Sequence, residues 1–163
     1  MWRALLLLSF VAVVGVAVAQ IPSPLKSGVE FQPEEMRKLQ ADEFANPAML
    51  WVSQGEQRWR TARGDAGKSC ADCHGESAAS MKGVATRYPR FQSLAGRVLN
   101  LEGQINYCTT ERQKSPALAY ESDPMLALSS YVARQSFGMP MAIKLDVAAR
   151  PVYEQGQDRK SVV

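Results

Sequence analysis

The chain has 163 residues, a formal net charge of +3, 46% hydrophobic and 21% charged residues, enough for one domain of modest size. Its lysines and arginines are scattered, so neither nucleic acid nor an anionic lipid surface is indicated as a partner. Three cysteines, Cys70, Cys73 and Cys108, accompany a single histidine, His74.

Residues 1–19 read as an export signal. Arg3 precedes an uncharged run over 4–19 whose one polar residue is Ser9, and Ala17-Val18-Ala19 gives the small-x-small pattern of a cleavage site before Gln20. The run is shorter than the ~20 residues of a spanning helix. The mature chain is therefore expected to be exported, in a bacterium to the periplasm, with no membrane association after cleavage.

Residues 20–45, with Pro22, Pro24 and Pro33, read as an extended lead-in that includes a short helix over 34–42. A firmer helix is expected from Asn46-Pro47, with asparagine as cap and proline at the first position, carrying Leu50, Trp51, Gly55 and Trp59 on one face. Gly64 and Gly67 end it. After the cysteine motif comes a small-residue loop and a turn at Tyr88-Pro89, since the residue before proline avoids helix. Val98, Leu101, Ile105 and Cys108 follow at spacings of three, four and three, which predicts a helix over 94–114 with Cys108 on its buried stripe. Ser122 or Asp123 before Pro124 caps a third helix, running to about Phe137 and stopped by Gly138. No segment alternates as a strand. The fold class is all-α, with few short helices and long loops over 46–150, and it needs something large at its centre.

SCADCHG, residues 69–75, supplies that centre. In C-x-x-C-H the two thiols add to the vinyl groups of haem and the adjacent imidazole becomes a ligand of the iron. Cys70 and Cys73 are thus the covalent anchors of haem c and His74 is an axial ligand. A thioredoxin-like dithiol would need a βαβ context, and a zinc site would need a fourth ligand such as Cys108.

With one histidine, a second imidazole from this chain is impossible. The remaining axial candidates are Cys108 and the methionines Met81, Met125, Met139 and Met141, since Met36 and Met49 precede the motif. Once two cysteines are consumed by thioethers, Cys108 would be an unpaired thiol in an oxidising compartment. An iron–thiolate bond resolves the odd count, so Cys108 is preferred over Met139 or Met141. A thiolate favours ferric iron and a low potential, whereas a thioether favours ferrous iron.

Together with the haem motif, NPAMLWVSQGEQRW, SMKGVATRYPRF, LNLEGQINYCTTER and YVARQSFGMPM, in this order, resemble the SoxA family of bacterial sulfur-oxidation cytochromes over about residues 27–157. The resemblance implies a cytochrome c-like haem domain and a heterodimer with a smaller cytochrome, SoxX. It implies an L-cysteine S-thiosulfotransferase activity that joins thiosulfate oxidatively to a cysteine of the carrier SoxYZ with loss of two electrons. It also implies histidine and cysteine thiolate as ligands of the N-terminal haem, which here are His74 and Cys108. Two haems are expected in the full-length family member and one in this chain. The catalytic haem belongs to a second domain, so residues 151–157 read as the start of a linker to it and no residue here is assigned to the sulfur chemistry. Residues 158–163, DRKSVV, back-translate to a common sequencing adapter followed by a stop, so they are expected to be an artefact of a truncated frame. The rival readings are a free-standing periplasmic electron carrier with His/Met ligation and a docking module.

Overall fold

The computed structural model describes residues 28–160; the export signal read at 1–19 lies outside them. Seven α-helices and one short hairpin follow in the order α1 (Glu34–Ala41), α2 (Met49–Arg60), α3 (Cys70–His74), α4 (Ser77–Ser80), β1 (Arg90–Gln92), β2 (Arg97–Leu99), α5 (Leu101–Glu111), α6 (Asp123–Arg134) and α7 (Arg150–Lys160). The all-α expectation holds apart from that hairpin.

The lead-in is not extended where it is described: a 3-10 turn at Gly28–Phe31 precedes α1, and neither buries a residue. At the next helix, Asn46 takes the Ala48 N–H on its side chain at 2.9 Å and the Met49 N–H on its carbonyl at 3.0 Å. The turn thus formed delays α2 to Met49. The third helix begins at Asp123 with proline in its first turn, but the Ser122 hydroxyl donates back to the Ala119 carbonyl at 2.7 Å instead of capping it.

The predicted 94–114 helix divides. Residues 90–92 and 97–99 pair antiparallel, with Phe91 opposite Val98, around a turn in which Gly96 has a φ of 64°. The helix proper starts at Leu101 because Asn100 caps it, accepting the Gly103 N–H at 2.8 Å. Val98 suits a strand as well as a helix, so apolar spacing alone ran the two elements together. The 151–157 segment, read as linker, lies within α7.

The crossing of α2 on α6 frames the domain. Gly55 sits at the contact, where an added Cβ would lie 2.1 Å from the Ala127 carbonyl oxygen and 2.5 Å from the Tyr131 Cβ. Neither atom can swing aside. Gly55→Ala is expected to destabilise the protein by about 1–3 kcal/mol, outweighing the ~1 kcal/mol gained in helix propensity. Gly156→Ala, in open space on α7, is the control and should not destabilise; denaturant unfolding of the haem-loaded protein compares the two.

The core is divided. Trp59, Met81, Tyr131 and Val132 form one buried cluster, and Leu118, Met125 and Leu128 another, with Cys70 packed against both. Leu118 is held in place by Asn106, whose side-chain amide bonds both its carbonyl (2.9 Å) and its N–H (2.7 Å). Between the clusters lies a cavity.

Candidate haem site

The motif folds as the single-turn helix α3. Ser69 and Asp72 form a reciprocal cap: the Asp72 N–H donates to Ser69 Oγ at 3.1 Å and the Ser69 N–H to Asp72 Oδ2 at 2.7 Å. Those bonds from Ser69 hold the Asp72 carboxyl below its ordinary pKa. Residues three and four apart share a helix face, so Cys70, Cys73 and His74 all reach the cavity wall. Gly75, with a φ of 65°, then turns the chain away.

Trp59 fixes the end of this turn. Its Nε1–H donates to the Gly75 carbonyl at 3.0 Å, and its ring centroid lies 5.7 Å from that of His74, tilted by 33°. Tyr131 backs Trp59 at 5.9 Å, and its phenolic oxygen accepts a 2.6 Å bond from the Ser77 hydroxyl. Arg60 and Glu76 form a two-bond ion pair, both at 2.9 Å, tying the end of α2 to the residue after Gly75.

The cavity is about 370 Å³, in the ~300–1,000 Å³ range of small-molecule and cofactor sites. Met81, Val84, Leu101, Ile105, Leu128 and Val132 give it apolar walls. Burial pushes the Cys70 thiol up to about 11, and the nearby Cys108 adds to this while Arg63 opposes it.

These residues fit haem. Two thiols and an imidazole stand on one turn, and the rest of the wall is apolar. Among the described residues no three of His, Cys, Asp and Glu converge closely enough to hold a lone metal ion. The donors are therefore spread for a macrocycle and not gathered for tetrahedral zinc. Arg87, Arg90 and Arg112 reach the wall. Such cations suit the carboxylate edge of haem.

Cys108, on α5, lines the same cavity as Cys70, Cys73 and His74. The methionines separate. Met81 is on the wall, Met125 is enclosed in the second core cluster, and Met139 and Met141 are 41% and 67% exposed and line no part of it. Sequence reasoning placed Trp59 only on an apolar helix face and missed its contact with His74. It also missed Gln104, one turn before Cys108, whose position on the helix was the available signal.

The family model for the SoxA/TsdA cytochrome c domain matches residues 54–141. The L-cysteine S-thiosulfotransferase subunit SoxA of Pseudaminobacter salicylatoxidans is 40% identical over 133 residues, covering 81% of this chain and 46% of that protein. The corresponding subunit of Paracoccus pantotrophus is 36% identical over 132 residues, covering 81% and 45%. The crystal structure of SoxXA from P. pantotrophus superposes with a TM-score of 0.75 at 36% identity, covering 81% of this chain and 50% of that one. The chain thus spans about half the length of the curated relatives it matches.

Proposed function

This chain belongs to the SoxA/TsdA cytochrome c domain family, and from that membership we propose that it is the N-terminal haem domain of a periplasmic SoxA subunit, paired with SoxX. The whole protein joins thiosulfate to a cysteine thiolate of SoxYZ: one S–S bond forms and two electrons leave through haem c. The observation that carries the reading is the meeting of Cys70, Cys73, His74 and Cys108 on one apolar cavity between the two core clusters. When bound, haem supplies an iron that exchanges one electron.

This chain's own residues do the rest. Cys70 and Cys73 would hold the macrocycle as thioethers, and His74 and Cys108 would offer the donors to its iron. Trp59 and Gly75 hold the His74 turn, and the apolar wall excludes water. The domain carries one haem and leaves the sulfur chemistry to a second domain. The chain is exported: the 1–19 signal is cleaved, and among the described residues no helix is long and apolar enough to cross a membrane. The free electron-carrier reading loses support because its ligands, Met139 and Met141, lie off the cavity.

The test is expression in a host that matures c-type cytochromes in its periplasm. One covalently attached haem per chain by mass, and co-purification with SoxX, is the expected result. A chain that exports and folds without attached haem would overturn the cofactor reading. A haem-loaded chain that ignores SoxX would overturn the subunit reading.

A further inference from the structure

Behind Cys108 runs a directional chain of amides. The Leu94 N–H donates to Gln92 Oε1 at 3.4 Å, so the amide nitrogen of Gln92 faces the other way. That Nε2 donates to Gln104 Oε1 at 3.0 Å, which in turn leaves Gln104 Nε2 aimed at Cys108 Sγ, 3.4 Å away. Each amide has one accepting and one donating end. A single backbone N–H in the hairpin turn therefore orients both side chains and presents a donor to the sulfur.

We propose that Gln104, oriented by Gln92, donates a hydrogen bond to the Cys108 sulfur when it is bound to iron and sets its electron-donating strength. The proposal rests on Cys108 being the axial ligand. A bond accepted by the sulfur draws charge from it, weakens its donation to the iron and moves the haem potential upward, as outer partners of a ligand do. Gln104 is a positioning residue here, and Gln92 aims it from β1. Without them the thiolate would hold ferric iron more strongly.

The experiment is a redox titration, with ferric absorption and electron paramagnetic resonance spectra, on the haem-loaded protein and its variants. Gln104→Leu should keep the low-spin spectrum of thiolate ligation and lower the midpoint potential. Gln92→Glu offers a carboxylate that can only accept, so Gln104 must turn its Nε2 toward residue 92 and its oxygen toward the sulfur. Its potential should fall as well. In the double variant Gln92→Glu should lower the potential less than it does in the parent, because with Gln104 gone only its added charge remains to act.

A bridge that only ties the hairpin to α5 would shift the unfolding midpoint and leave the potential unchanged, which would overturn the proposal. Additive shifts in the double variant would overturn the relay. Cys108→Ala separates the premise from the proposal. An unchanged Cys108→Ala spectrum removes the ligand, and the relay with it. A changed spectrum alongside an unaltered potential in Gln104→Leu leaves the ligand and removes the relay. Gln104→Met, uncharged and close to glutamine in length, removes the same donor and decides the matter even if Gln104→Leu fails to fold.

Discussion

Cys108→Ala is expected to leave the haem covalently attached but to abolish the low-spin ferric spectrum with thiolate character, giving a high-spin form or a low-spin form with Met81 in its place, with a rise in potential in either case. No other imidazole exists to take the position, because His74 is the chain's one histidine. The exposed Met139 and Met141 line no part of the cavity and Met125 is enclosed in the core, which leaves Met81, on the wall, as the methionine placed to replace the thiolate. The packing loss is small, about 1 kcal/mol for removing a sulfur the size of a methylene or two from a half-buried site. Absorption spectra and a redox titration of the purified variant check the result. A spectrum identical to the parent's would remove Cys108 from the iron. Cys70→Ala or Cys73→Ala acts differently: each deletes one thioether anchor, so attachment and the yield of folded protein fall together.

Trp59→Ala is expected to be the most destabilising single truncation, at about 3–5 kcal/mol. Its side chain is 3% exposed at the centre of the first core cluster, packed between the His74 and Tyr131 rings. The loss is a large share of the ~5–15 kcal/mol that holds a small domain together. Trp59→Phe keeps most of the apolar area but removes the Nε1–H bond to the Gly75 carbonyl, at a cost of about 1 kcal/mol. The difference between the two variants separates core packing from the grip on the end of the motif. Denaturant unfolding of the haem-loaded variants measures both. If Trp59→Ala unfolded as the parent does, haem rather than this cluster would be holding α2 on α6.

Much of the site was legible because its parts are local. C-x-x-C-H carries its meaning within one turn, where spacing alone sets the face that both thiols and the imidazole share. Cys108 was singled out by elimination, since one histidine and an odd thiol leave few candidates. Asn46-Pro47 and Ser122-Asp123-Pro124 signalled two helix starts to within about two residues, the usual scatter of such ends. The hairpin was missed because Val98 satisfies a helix stripe and a strand equally. Asn100 and Gly96, the residues that divide them, act through one cap and one left-handed turn that a period of hydrophobicity does not register.

The sequence by itself determined three main helices and a haem c attachment motif, with a lone histidine and a third thiol to account for. Tertiary structure alone decided which side chains meet across the cavity. It put Cys108 at the wall and Met139 and Met141 away from it, seated Gly55 against Ala127, and laid Trp59 beside His74. It also turned Gln104 toward the sulfur through Gln92. The physical reason is the range of the forces involved. Caps, turns and thiol spacing are settled by neighbours in the chain, whereas packing and side-chain hydrogen bonds join segments far apart in it and leave no period in the sequence to read.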